Sequence, residues 1–275
     1  MKQTSKINGE YFAEGMPAEF VGFGEGEVPL VIVPGLSDGL RSVGKTASAL
    51  SFFYRQLSRQ FRVFVVSRPL GIADGTTTRD MARYLDAFFD AVHIESAHIW
   101  GISQGGMISQ WLAADFPHRV RSLCLAVTTP YSTGTMQQVI GRWKELACDE
   151  NHADLVVDTC ELTFSEKRLR RYRRWYPLLR RIGKPQDWHR FIVQAEACLS
   201  HDARAVLGRI SAPTLVVGGG QDLIIGTGMS EMLAESISDT RLLLYPDLGH
   251  SAYDEAPACR KRIAEFFIDQ ESSLP

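Results

Sequence analysis

Four short apolar runs, spaced some thirty residues apart with helix-patterned segments between them, constrain this chain more than any other feature. They read "LVIVPG" (30–35), "RVFVVS" (62–67), "AHIWG" (97–101) and "SLCLAVTT" (122–129). The first two are continuous and β-branched, the pattern of strands buried on both faces. Between the runs, Leu50, Phe53, Tyr54 and Leu57 predict a helix over 45–59. Met81, Leu85, Phe88, Phe89 and Val92 predict another over 78–92, with Thr78 as its cap, and a third follows over 104–116. Strand and helix in this rhythm imply parallel βαβ units, with crossover helices on both faces of one sheet. Residues 8–24, rich in Gly and Glu, suggest a hairpin at its edge.

The rhythm stops near residue 130 and resumes at "TLVVGGG" (214–220) and "TRLLLYP" (240–246), before a closing helix over 258–270. The expected organisation is an α/β core from 1–129 and 209–275, with a helical lid or cap inserted over 130–208. Such a lid would cover the carboxyl edge of the sheet, where open α/β sheets bind ligands. At 275 residues the chain can hold one large core with such an insertion. A net charge of −2 excludes nucleic-acid binding by the chain's overall field. The N-terminus lacks the apolar run of a signal peptide, and no apolar stretch reaches membrane-spanning length. Five scattered cysteines, with no metal-ligand spacing, read as buried or half-buried thiols of a reducing compartment. The expectation is a cytoplasmic protein with no membrane span.

"GISQGG" (101–106) sits where the third strand should pass into its helix. A G-x-S-x-G alone would arise by accident in roughly one such chain in seven, so its context has to decide. At a strand-to-helix corner, small neighbours let the two elements approach while the turn lifts Ser103 clear of the sheet. The helix N-terminus behind it offers free N–H groups to a developing anion. A hydroxyl needs a base, and the base an orienting carboxylate. Asp222 follows the strand at 214–218 and His250 follows the strand at 240–245, so both open toward the edge that carries Ser103. Asp247 and Asp202 are the local competitors of Asp222, and the other six histidines (93, 98, 118, 152, 189, 201) read as structural or solvated. The backbone N–H of Gln104 and that of Leu36, in the loop "PGLSDG", are the candidate oxyanion donors.

Taken together, "VIVPGLSDG", "GISQGG", "PTLVVGGGQD" and "YPDLGHSAYDEAP" resemble the α/β-hydrolase family, over about 20–130 and 208–270. The resemblance implies Ser103 as nucleophile, His250 as general base and acid, Asp222 as its orienting carboxylate, a lid, and neither cofactor nor metal. Pro34-Gly35 stands where many members carry His-Gly. In "SRPLGIADG", Ser67 and Pro69 replace residues that normally brace the site. A serine nucleophile argues against dehalogenase or epoxide-hydrolase chemistry, which uses a carboxylate.

The expected function is serine-dependent hydrolysis of a small ester, lactone or thioester through an acyl-enzyme. Carbon–carbon bond hydrolysis or aminopeptidase action by the same three residues is one alternative, and ligand binding with a silent triad another. The expected partner is a small acyl substrate. Within the insertion, residues 167–184 hold nine Lys or Arg and no acid, with Leu169, Tyr172, Tyr176 and Leu179 at helical spacing. Three readings stand: a lid helix with solvated charges, a face pairing with acidic residues, or a binding surface for an anion. Trp143, Trp175 and Trp188 fit a pocket lining or a core equally well.

Overall fold

The computed structural model describes residues 6–272. Eight strands form one sheet: β1 (Ile7–Ala13), β2 (Met16–Phe23), β3 (Val28–Val33), β4 (Phe61–Val66), β5 (Ala97–Ile102), β6 (Val120–Ala126), β7 (Thr214–Gly219) and β8 (Thr240–Tyr245). Their spatial order is β1-β2-β4-β3-β5-β6-β7-β8. β1 and β2 form an antiparallel edge hairpin, β2 runs antiparallel to β4, and every pairing from β4 through β3 to β8 is parallel. Glu14 and Gly15 make the hairpin turn with both φ positive, the geometry that matches strand twist.

The helices are α1 (Ala47–Phe53), α2 (Thr78–Ala91), α3 (Gln104–Asp115), α4 (Gly134–Cys148), α5 (His152–Thr163), α6 (Glu166–Tyr172), α7 (Tyr176–Leu179), α8 (His189–Leu199), α9 (Met229–Ser236), α10 (Ala252–Glu255) and α11 (Cys259–Ser272). The continuous apolar runs are explained by the two cores they feed. Val31 and Val33 of β3 join Phe88, Phe89 and Leu112 on one face, while Leu30 and Ile32 join Trp100, Phe61 and Phe267 on the other. Each such side chain contributes about 1.5–3 kcal/mol on burial. A third cluster lies between α4, α5, α8 and the sheet's carboxyl edge, with Trp143, Trp188 and Phe191 packed against Leu36, Met107 and Ile224.

Three expectations change in detail. The helix expected over 45–59 is α1 alone, followed by turns, because Tyr54 leaves helical geometry (φ −99°, ψ 21°). Phe53 accordingly faces outward under the Arg260 guanidinium. The cap of α2 is Thr77, not Thr78. Thr77 and Asp80 form a reciprocal capping box, and Thr78 turns inward to His201, 2.8 Å away. The cysteines are all free, but Cys148 is exposed rather than buried, since it ends α4 on the solvent side. Among the described residues no helix is long and apolar enough to cross a membrane.

Candidate active site

Ser103 is the residue before α3, with φ 51° and ψ −118°. A non-glycine residue there is strained by about 1–3 kcal/mol and persists only where its surroundings hold it. They do. Its N–H donates to Ala126 O at 2.9 Å, and its carbonyl accepts from the Thr128 hydroxyl at 2.7 Å. The side chain of Ser103 does not cap the helix it precedes. Its Oγ lies 2.9 Å from His250 Nε2 instead.

The two flanking glycines of "GISQG" are steric requirements. A Cβ on Gly105 would sit 2.0 Å from Val33 O, and one on Gly101 would sit 2.5 Å from Ser109 Oγ. The start of α3 therefore rides directly over the end of β3.

Asp222 and His250 come from the loops after β7 and β8, which are sewn together. Gly220 N–H donates to Tyr245 O and Gln221 N–H to Leu248 O, both at 2.9 Å. His250 Nδ1 lies 2.7 Å from Asp222 Oδ2, and Asp222 Oδ1 accepts from the N–H groups of Ile224 and Ile225 at 2.9 and 3.1 Å. Asp222 is buried and the imidazole nearly so. The carboxylate thus holds the ring with Nε2 toward the serine. Ser103, His250 and Asp222 are brought together. Asp247 and Asp202 are not part of this line, and Asp202 pairs with Arg204 on the surface.

Leu36 opens a 3₁₀ turn (Leu36–Gly39) and Gln104 opens α3, so neither N–H has an intrahelical acceptor. Leu36, Ser103 and His250 line one cavity of about 250 Å³, closed by Ile102, Trp143, Phe164 and Ile224. No Asp, Glu, Lys or Arg lines it, so none of the nine cations of 167–184 does. A larger groove between 55–60 and 261–268 lies away from Ser103 and His250.

One cluster beside the site escaped the sequence reading. Arg68, just past β4, is buried and donates to Pro34 O (2.7 Å), Gly35 O (2.6 Å), Gln104 Oε1 (2.7 Å) and Gln194 Oε1 (2.9 Å). A trans peptide directs its carbonyl and N–H to opposite sides. Holding Gly35 O therefore turns the Leu36 N–H away from Arg68. Asp38 accepts from Ser67 Oγ and from Arg190 of α8, and lies 3.3 Å from Arg68 Nε. Burial alone would raise the Asp38 carboxyl, but Arg68, Arg190 and Ser67 together hold it below the usual carboxylate range. Ser67 thus still braces the loop through Asp38. The available signal was a charged residue at the end of a buried strand, "VVSR", which patterning alone does not assign.

An elbow serine on a mostly parallel eight-stranded sheet, faced by a histidine and an aspartate from the last two strand ends, defines a class. The chain belongs to the α/β hydrolase fold family, whose model matches residues 28–257. It is 30% identical over 166 residues to a pimeloyl-(acyl-carrier protein) methyl ester esterase of Neisseria meningitidis serogroup B, covering 57% of this chain and 63% of that one. The match therefore spans under two thirds of that relative's length. The enzyme of the same name from Chromobacterium violaceum is 29% identical over 223 residues, covering 72% and 80%. The enol-lactonase from Burkholderia xenovorans LB400 has the same fold, with a TM-score of 0.78 at 21% identity over 94% of this chain and all of that one.

Proposed function

We propose that this protein hydrolyses a small, uncharged acyl ester, lactone or thioester through a Ser103 acyl-enzyme. The observation that carries this reading is the hydrogen-bonded line Asp222–His250–Ser103 on the wall of an apolar cavity. In the reaction, His250 Nε2 takes the Ser103 proton as Oγ attacks the carbonyl. Asp222 stabilises the imidazolium that forms. The N–H groups of Leu36 and Gln104 hold the oxyanion, with Arg68 fixing the first through Gly35 O. His250 then returns the proton to the leaving group, and water repeats the sequence to release the acid.

The cavity sets the substrate class. Its volume of about 250 Å³ is at the small end for ligand sites, and its neutral lining suits an uncharged acyl group of a few carbons. The relatives named as methyl ester esterases and a lactonase fit the same bond type. The helical segment over 130–208 serves as the lid, supplying Trp143, Thr159, Thr163 and Phe164 to the cavity.

The test is hydrolysis of p-nitrophenyl acyl esters of rising chain length by wild type and Ser103→Ala. Turnover on the short esters is expected to fall roughly 10⁴–10⁶-fold in the variant, with its melting temperature kept. A folded wild type inactive on every ester, or a variant as active as wild type, overturns the reading.

A further inference from the structure

The basic stretch 167–184 has two unlike faces. The inner one packs as its spacing predicts. Leu169 is buried, Tyr172 packs against Phe164 with the rings tilted and their centroids 4.8 Å apart, and the Tyr176 hydroxyl donates to Glu161 at 2.9 Å. The outer one holds Lys167, Arg171, Arg174, Trp175, Leu178, Arg181 and Ile182, at successive spacings of three, four or one. All seven are exposed, Trp175 at 59%, Leu178 at 48% and Ile182 at 50%.

The other five cations of the stretch have carboxylate partners. Arg168 pairs with Asp254, Arg170 with Glu166, Arg173 with Glu161, Arg180 with Asp154 and Lys184 with Glu150. Lys167, Arg171, Arg174 and Arg181 have no carboxylate within 4 Å among the described residues. Four unpaired cations therefore accompany three large exposed apolar side chains along α6, the 3₁₀ turn Arg173–Trp175, α7 and the turn that follows. Solvated charge accounts for the cations and not for the apolar residues, which a solitary surface helix would keep off its outer face.

We propose that this face docks the protein peripherally on an anionic phospholipid surface. Trp175, Leu178 and Ile182 sit at the boundary of headgroups and acyl chains, and the four cations meet lipid phosphates. A folded acidic protein would satisfy the cations, but it would need an apolar recess shaped to these three side chains, and a bilayer needs none. Long-range charge orients the encounter. Five of the nine cations are neutralised by their own carboxylates, so the four free ones give this side +4 against −6 on the rest of the chain, and an anionic surface attracts this side first. Phe164 lines the Ser103 cavity and contacts the Tyr172 ring, so the docked stretch adjoins the cavity wall. Docking does not depend on which bond the cavity cleaves.

The experiment is flotation of the full chain with vesicles of phosphatidylcholine alone or mixed with phosphatidylglycerol, with Trp emission recorded. Binding is expected only to the anionic vesicles. It should weaken steeply from about 50 mM to 500 mM salt and be accompanied by a blue shift that Trp175→Phe removes. Arg171→Glu with Arg174→Glu should weaken it more than roughly a hundred-fold, at about fivefold per unit charge. Hydrolysis of a water-soluble ester by this variant should stay at its wild-type rate. Equal binding to neutral vesicles, no binding at low salt, or an unaffected charge-reversed variant overturns the proposal. A wild type that ignores vesicles but binds polyglutamate through this face overturns it in favour of an acidic protein partner. A wild-type dimer that the variant splits, without vesicle binding, overturns it in favour of self-association.

Discussion

Gly105 has no side chain because Val33 O occupies the place where one would go, 2.0 Å from the nearest Cβ position. That carbonyl is backbone at the end of a central strand and cannot swing aside. Gly105→Ala is therefore expected to lose about 2–4 kcal/mol, read by urea unfolding, and to lower activity by moving Ser103. This is why Ser103 was legible in the sequence. Its signal is local, a hydroxyl between glycines at a strand end. His250 and Asp222 were legible for a related reason, because parallel strands deliver their following loops to one edge. Arg68 was not. Its four acceptors lie on residues 34, 35, 104 and 194, and nothing in the chain order joins those positions.

At the scale of elements, sequence patterning located each strand and the core helices α2, α3 and α11, but it missed α9 (Met229–Ser236) and misread where α1 and α2 begin and end. A cap is decided by one residue's dihedrals, and Thr77 and Thr78 are chemically equal until the chain turns one of them inward. The inward Thr78 meets His201, whose imidazole burial drives down to about 4. His98 of β5, between Ser122 and Glu271, is likewise lowered by burial to about 4, against the pull of Glu271. Both rings are neutral in the folded protein and protonate near 6.5 when unfolded. Below that pH the unfolded chain binds more protons, so stability falls as pH drops from about 6.5 toward 4. Each ring contributes up to roughly 3 kcal/mol of this loss. Urea unfolding at pH 7 and pH 4.5 checks it, and an unchanged midpoint would contradict the burial of these rings. The outer side of 167–184 was also only half legible. Spacing identified Leu169, Tyr172, Tyr176 and Leu179 as the packed side, but the ion pairs that separate the free cations from the bound ones are tertiary.

At the scale of the whole molecule, one buried charge cluster ties the helical segment to the sheet. Asp38 follows β3, Arg68 follows β4, and Arg190 arrives from α8, more than a hundred residues later. Asp38→Asn would leave two buried guanidinium groups without their counter-charge, and is expected to cost about 3–5 kcal/mol. Because the cluster belongs to both parts, the loss should appear as an earlier single unfolding transition, seen alike by fluorescence and circular dichroism. Two separate transitions would show that α8 and the sheet unfold independently. The sequence by itself determined the sheet, its parallel order of strand and helix, the elbow, and the residues at the strand ends. Each of these is written in spacing along the chain and in the periodicity that burial imposes. The tertiary structure alone decided which carboxylate meets which cation, which threonine caps, and which side chains close the cavity. Those choices compare the free energies of groups far apart in sequence, and only the folded chain brings them within a hydrogen bond of one another.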